Sequence, residues 1–525
     1  MEYWILGGTV FLITTLLLAV YIRVNDTRLA RIPEDALVFS PKRSTPETVH
    51  SAAAIIAKSP PISLREQLPP KTGRRYIVVG GGGFLGGWIV STLLDRGEDP
   101  RRIRIVDIRP PVRSDLTTGA AKGIQFFETN VSDAAAVDAA FTAPWLDLDQ
   151  PAPEITVFHT ASNIRFYERH PAMLPLSEKV NVVGTKNVVN SARSVGANVL
   201  IYTSSGSVAV RNSRFLLWPW QREPKHFVQV INDDENAIPK RHEDFFSNYA
   251  ATKIQADRFV QASDKASSGA SSGKGVLRTG CIRPGNGVFG PRGDMLCGAY
   301  LVRQTNPTWI SNIVQSFCYV ENCVLAHLCY EQRLLDTLAG SKNPDIGGQA
   351  FVIADPGTTP TYGDVYTTLE TLSEGECTFP QLPPTIMLII AYLIEFYYLG
   401  RHFLLASGLP FAKMMPPING DLVNLQPSLF SLTSVHLIFD DSRARLPPEK
   451  GGLGYKGAWT TLQGLHKTFE EHKSGIGRSG RRSDIAGVSL GFGLGKAQRG
   501  VAKVNEKVVD GLGVDPVKIL STVSS

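Results

Sequence analysis

The apolar run Tyr76-Ile-Val-Val79 passes directly into Gly80-Gly-Gly-Gly83-Phe84-Leu85-Gly86 and then into a second apolar run ending at Leu94. This order predicts a strand, a tight turn and the N-terminus of a helix. Such a turn presents backbone N–H groups at the positive end of a helix dipole, and glycines let a pyrophosphate approach the main chain. A glycine triplet alone is a weak sign of that ligand, and its context decides. The next apolar strand, Ile103-Arg-Ile-Val-Asp107, ends on a carboxylate. An acidic group there accepts hydrogen bonds from a ribose diol and repels a 2′-phosphate, which favours NAD over NADP; Arg109, two residues on, softens the preference.

Further β-branched runs at 124–128, 155–159, 199–203 and 276–283 alternate with helical patterns. The alternation predicts an α/β fold, a Rossmann-type doubly wound parallel sheet over 76–294 with an insert at about 209–245. From 295 to 472 the pattern loosens into a smaller mixed region, read as substrate-binding, with an apolar helix at about 384–406. Glu395, Arg401 and His402 interrupt that helix and argue against a full membrane span, leaving an interfacial helix or a core helix. Residues 473–525 are rich in glycine and basic groups and predict a mobile tail.

Trp4 to Ile22 is a run of 19 uncharged residues, enough to cross most of a ~30 Å hydrocarbon core. Residues 1–22 therefore predict a transmembrane anchor rather than a cleaved signal, since no basic residue precedes the run. Arg23, Arg28 and Arg31 follow it, which places the catalytic part in the cytosol as a single-pass protein. Seven prolines between 33 and 70 predict a tether over 23–75, with one helical stretch at 46–58. The net charge of +6 is a mild excess that carries no implication of nucleic acid. Six scattered cysteines lack metal-ligand spacing and are read as reduced core residues, and His159 and His327 as structural histidines.

The chemistry is concentrated in two segments. Leu200-Ile-Tyr-Thr-Ser-Ser205-Gly ends a strand in hydroxyl groups, and Asn248-Tyr249-Ala-Ala-Thr-Lys253 opens a helix with tyrosine and lysine on one face. An ammonium beside a phenol stabilises phenolate and lowers a tyrosine from about 10 toward neutrality. Such a tyrosine can take the proton of an alcohol while hydride leaves the same carbon.

With these residues stand Val157-Phe-His-Thr-Ala-Ser162, Asn181-Val-Val-Gly-Thr185, Ile282-Arg-Pro-Gly285, Gly290-Pro-Arg-Gly-Asp294, Tyr319-Val-Glu-Asn322 and Leu453-Gly-Tyr455. Over roughly 76–470 the chain resembles the extended short-chain dehydrogenases/reductases, in particular the branch containing 3β-hydroxysteroid dehydrogenases and sterol-4α-carboxylate 3-dehydrogenases. The resemblance implies Ser205 as catalytic serine, Tyr249 as acid/base and Lys253 as activating lysine that also binds the nicotinamide ribose. It implies Thr160 and Ala161 along the cofactor cleft, Pro284 near the nicotinamide, and Asn130 with Val131 at the adenine. Asn130 stands where relatives carry aspartate, and the 44-residue interval from Ser205 to Tyr249 is longer than the family's, including Trp218 and Trp220. Those indoles suit either the cap of an apolar pocket or a bilayer interface. The expected activity is NAD-dependent oxidation of a sterol or steroid 3β-hydroxyl at the endoplasmic reticulum membrane, with a homodimer or a sterol-enzyme complex as partner and no metal. The competing readings are a nucleotide-sugar epimerase or dehydratase and a non-catalytic dinucleotide-binding redox sensor.

Overall fold

Short β-branched strands joined by helices pack best as a parallel sheet covered on both faces, because crossover helices bury each side. The computed structural model, which describes residues 2–60, 62–147, 149, 151–269 and 275–475, has this arrangement. Seven parallel strands, β1 (Arg75–Val79), β2 (Ile103–Asp107), β3 (Gln125–Glu128), β4 (Ile155–His159), β5 (Val199–Thr203), β6 (Gly275–Pro284) and β7 (Ala350–Ile353), lie in the order β7-β6-β5-β4-β1-β2-β3. A short strand, Ala266–Ser268, adds antiparallel to β6. Alternate residues feed two cores. Ile77, Val79, Val157 and Leu200 fill one face, and Val78, Ile105, Phe158 and Ile201 fill the other.

The helices that position the site are α1 (Glu2–Leu29), α2 (Pro46–Lys58), α3 (Phe84–Asp95), α4 (Asn248–Ala262), α5 (Val320–Leu338), α6 (Tyr362–Leu372) and α7 (Pro384–Ala406). Val79 pairs with Val106 of β2 on one side and with His159 of β4 on the other, so Gly80, Asp107 and Thr160 lie at one edge of the sheet. The strand order reverses between β1 and β4. In open α/β sheets, ligands bind at the carboxyl ends of strands at such a point.

Two expectations from the sequence are corrected. First, α1 does not end at residue 22 but runs to Leu29, and the segment 23–75 is not a free tether. Asn25 is buried, donating to the Phe215 carbonyl at 3.0 Å and to Thr385 Oγ1 at 2.8 Å. Arg43 pairs with Asp364 at 2.9 Å, and α2, started by a capping box on Thr45, packs on α6. Prolines here fix a path over the surface, and the polar groups between them supply the attachment. Second, the boundary at 294/295 does not separate two units. The chain returns after it to place α5 against α3 and β5 and to add β7 to the sheet edge. The insert at 209–245 is built into the body: Val228–Ile231 pairs in parallel with His436–Phe439, and Phe215 packs on Phe430. The tail expected over 473–525 lies, from 476 onward, outside the described residues.

A buried ion pair ties strand to helix inside this framework. Arg283, at the end of β6, holds Asp257 of α4 with Nε to Oδ2 at 2.9 Å and Nη2 to Oδ1 at 3.0 Å, both side chains buried. Removing one partner of a buried pair strands the other charge in a medium that solvates it poorly. Arg283→Met is therefore expected to destabilise the protein by about 3–5 kcal/mol, measured as a lower urea midpoint with an unchanged slope.

Candidate functional site

Strand β1 delivers the chain to Gly80, whose φ of +85° is left-handed and suited to glycine. A Cβ on Gly80 would meet Thr160 Oγ1 at 2.5 Å, and one on Gly86 would meet the Gly80 carbonyl oxygen at 2.2 Å. Strand, turn and helix thus approach one another more closely than any side chain allows. Gly83 precedes Phe84 at the start of α3, and no side chain caps that start. The N–H groups of the first turn have no intrahelical acceptor by geometry, so Phe84, Leu85 and Gly86 offer donors to an anion at the positive end of the helix dipole. These features fit the pyrophosphate of a dinucleotide.

Around this turn the cleft is lined by the other strand ends. Asp107 accepts from the Gly82 N–H at 3.0 Å and from the Arg109 N–H at 3.3 Å, which fixes its carboxylate at the edge of the turn. Thr160 donates its hydroxyl, and Thr160 and Ala161 their N–H groups, to the Val79 carbonyl. Pro284 is buried at the end of β6. Val131 is buried against Gly184, whereas Asn130 is exposed and its side-chain oxygen accepts from both the N–H and the hydroxyl of Ser132. The acceptor expected to meet an adenine amino group is thus already engaged in a local turn.

The hydroxyl cluster lies at the ends of β4 and β5. Ser247 caps α4 through the Ala250 N–H, starting the helix so that Tyr249 falls in its first turn and Lys253 one turn later. Burial pushes the Tyr249 phenol up to about 12, against hydrogen bonds from Ser205 and Ser162 that pull it down. Ser205 Oγ also lies 2.8 Å from Ser207 Oγ. Ser162 donates to Asn181 Oδ1 at 3.1 Å, while Asn181 Nδ2 donates to Thr252 Oγ1 at 3.1 Å, tying the loop after β4 to the helix that carries the tyrosine. Asn181 sits where the helix widens into a π turn over Lys179–Gly184, a distortion that turns a side chain out of helical register.

Lys253 departs from expectation. Its ammonium is buried, donates to the Thr203 carbonyl at 2.6 Å and lies 4.2 Å from the centre of the Tyr202 ring. Burial brings it down to about 7, with Asp257 acting in the opposite direction. Tyrosine and lysine share a helix face, yet the lysine is spent on the strand end, and the phenol is raised where the sequence predicts it lowered. Thr203 in turn places its hydroxyl 2.7 Å from His327 Nε2, and His327 Nδ1 lies 2.7 Å from the Cys323 carbonyl. His327, read as a structural histidine, is buried on α5 and braces the strand end that holds the lysine.

Ser162 was not singled out in the sequence as a site residue. Its signal was its place at the end of the strand β4 motif, level with the hydroxyls that end β5. Trp218 and Trp220 stack at 5.4 Å but are 53% and 76% exposed, so they cap no internal pocket. Among the described residues no cluster of three or more His, Cys, Asp or Glu side chains is placed to hold a metal, and all six cysteines are buried and unpaired as disulfides.

A sequence profile of the 3-beta hydroxysteroid dehydrogenase/isomerase family matches residues 77–373, more than half the chain. The chain belongs to that family. It is 28% identical over 415 residues to a 3beta-hydroxysteroid-dehydrogenase/decarboxylase, isoform 2, of Arabidopsis thaliana. That match covers 76% of this chain and 62% of the plant protein. It is 28% identical over 332 residues to the decarboxylating sterol-4-alpha-carboxylate 3-dehydrogenase of Candida albicans, covering 61% of this chain and 81% of that protein. Among solved structures, the UDP-glucose 4-epimerase of Thermotoga maritima aligns at 18% identity and a TM-score of 0.48, over 77% of this chain and 99% of that one.

Two outcomes test the site. Gly86→Ala drives a Cβ into the Gly80 carbonyl and is expected to weaken dinucleotide binding by about tenfold or more, or roughly 1.4 kcal/mol, read by calorimetric titration. The second concerns Lys253, whose folded value near 7 lies below its unfolded value of about 10.4. Between these values the unfolded chain binds the additional proton, so stability rises with pH from 7 toward 10 and is lost as pH falls through 7. Without nucleotide, wild type is expected to gain up to about 1.4 kcal/mol per pH unit over that window relative to Lys253→Met, measured by denaturation at each pH.

Proposed function

We propose that this protein is a membrane-anchored, NAD-dependent dehydrogenase that oxidises the 3β-hydroxyl of a sterol or steroid. The observation that carries the proposal is the convergence of Ser162, Ser205 and Tyr249 hydroxyls at the ends of β4 and β5, beside the glycine turn at the sheet's switch point. Bound nicotinamide supplies a hydride acceptor. The chain's own groups do the rest: Ser205 and Ser162 hold the substrate oxygen and the phenol in line, and Tyr249 takes the hydroxyl proton as the carbinol carbon gives up its hydride. Lys253 fixes the strand end through the Thr203 carbonyl and is the residue that would hold the ribose of a bound cofactor. Asp107 at the turn favours a ribose diol, hence NAD over NADP.

A membrane-borne substrate is supported by α1. Its apolar stretch is long enough to cross a bilayer and is exposed from residue 3 to residue 20, and it begins to join the body near Tyr21, which donates to the Leu217 carbonyl at 3.1 Å. The relatives named for decarboxylation support a substrate bearing a 4α-carboxylate. Its 3-keto product would be a β-keto acid, which loses carbon dioxide readily. The arginines that follow the apolar run favour a cytosolic catalytic body, and sterol chemistry favours the endoplasmic reticulum.

The test is reduced-nucleotide formation by the full chain in detergent with NAD and NADP, across 3β-hydroxysterols, a 4α-carboxysterol and UDP-sugars. Turnover of the sterols with NAD is expected. Conversion of UDP-sugars alone, read by chromatography of the sugar nucleotides because epimerisation yields no net reduced nucleotide, would overturn the reading in favour of an epimerase-like activity, and dinucleotide binding without any conversion would leave a sensor. Tyr249→Phe is expected to lower kcat by about 10²–10⁴-fold while leaving NAD affinity intact. Because the phenol is held near 12, the oxidation rate of wild type is expected to climb with pH from 7 to 9 as the phenolate fraction rises.

A further inference from the structure

Helix α7 carries an apolar face that the body does not cover. Its inner side is packed, with Met387, Leu388, Ala391 and Ile394 buried. Its outer side presents Ile386, Ile389, Ile390, Leu393, Phe396 and Phe403, with Leu393 63% and Phe396 78% exposed. A helix on a water-facing surface puts charges on that side; α7 has none there before Arg401. Nor can it cross a bilayer by itself, since Glu395 on the inner side makes a two-pronged pair with Arg169 of the body, 2.7 Å on each arm.

What covers this face is indicated by its neighbours. The first turn of α7 is joined to the base of α1: the Thr385 N–H donates to Asp26 Oδ1 at 2.9 Å, and Asn25 donates to Thr385 Oγ1 at 2.8 Å. The same base holds the tryptophan loop, with Arg28 donating to the Pro219 carbonyl at 2.9 Å. The apolar shaft of α1, the exposed Trp218 and Trp220 and the outer face of α7 are thus tied together at one junction. Indoles favour the headgroup boundary. Exposed charges near the junction include Arg23, Arg31, Arg214, Arg222 and Lys225 against Glu34, Asp35 and Glu223, a modest basic excess that suits anionic lipid.

The same helix reaches the catalytic tyrosine through one loop. Tyr398 donates to Glu168 Oε1 at 2.6 Å, and Glu395 holds Arg169. Asn248, adjacent to Tyr249, donates its N–H to the Glu168 carbonyl at 2.8 Å and its amide to the His170 carbonyl at 2.9 Å. We propose that the outer face of α7 and the Trp218–Trp220 pair form a membrane-docking shelf, seated in the headgroup boundary of the bilayer that α1 enters, which admits a lipid-borne alcohol to the Tyr249 cleft directly from that bilayer. This rests on the reading of a membrane-anchored sterol dehydrogenase and adds the surface through which the substrate arrives.

All six native cysteines are buried, so a thiol-reactive fluorophore on Leu393→Cys reports that face alone, with Lys342→Cys as an exposed control. With the full chain reconstituted in vesicles containing anionic lipid and brominated acyl chains, the Leu393 label is expected to be quenched by bromine and shielded from aqueous iodide, and the Lys342 label the reverse. A Leu393 label as open to iodide as the control would overturn the shelf. Shielding that vanishes on dilution to one protein per vesicle would also overturn it, in favour of a second copy of the chain as the cover. In a second arm, Leu393→Glu and Phe396→Glu are expected to lower turnover of a vesicle-borne 3β-hydroxysterol by roughly tenfold or more, because a charge placed at the hydrocarbon boundary is costly, while turnover of a water-soluble 3β-hydroxysteroid is retained. Equal loss on both substrates, or no loss on either, would overturn the proposal. If wild type turned over no sterol, the functional reading would fall, and the labelling result would still decide whether α7 docks.

Discussion

A buried ammonium is the constraint around which the centre of this protein is arranged. Lys253 lies inside the sheet edge, where charge is poorly solvated, and three groups answer it. The Thr203 carbonyl at the end of β5 accepts a hydrogen bond from it, the Tyr202 ring offers its face, and Asp257 supplies negative charge one turn along α4. Asp257 cannot be left alone in turn, and Arg283 at the end of β6 holds it in both oxygens. His327 then braces Thr203 from α5. The chain of partners links α4, β5, β6 and α5, so the strand end that presents Ser205 is set by how one positive charge is accommodated.

The glycine turn is the counterpart on the other side of the switch point. There the device is the absence of side chains: Gly80, Gly86 and Thr160 come closer than a Cβ permits, and the donors at the start of α3 stay available. One half of the cleft is fixed by steric closeness and the other by charge. Both converge on the carboxyl ends of β1, β4 and β5, because the strand order reverses there and leaves a crevice that neither layer of helices fills.

Much of this was legible in the residues. Strands at 103–107, 155–159 and 199–203 follow from β-branched runs, and helices at 46–58 and 384–406 from helical or apolar patterning, all local signals. The turn at Gly80 and the Tyr249/Lys253 spacing are local as well. The destinations of long side chains were not legible. Lys253 bonding to Thr203, Asn25 reaching Thr385 across 360 positions and Arg43 finding Asp364 depend on contacts distant in sequence. Proline density between 33 and 70 says that the backbone is stiff and says nothing about where it lies. The return of the chain to add β7 escaped for the same reason.

By itself the sequence determined that this chain makes a parallel sheet with a dinucleotide-type turn, a hydroxyl-rich strand end and an apolar stretch able to enter a membrane. Periodicity, glycine conformation and the hydrophobicity of a contiguous run act over a few residues and need no partner. Tertiary structure alone decided that the phenol of Tyr249 is raised rather than lowered, that Asn130 is turned to Ser132, and that α1, the tryptophan loop and α7 meet at one junction. Desolvation and long-range hydrogen bonding set those outcomes, and both depend on what the rest of the fold places around each group.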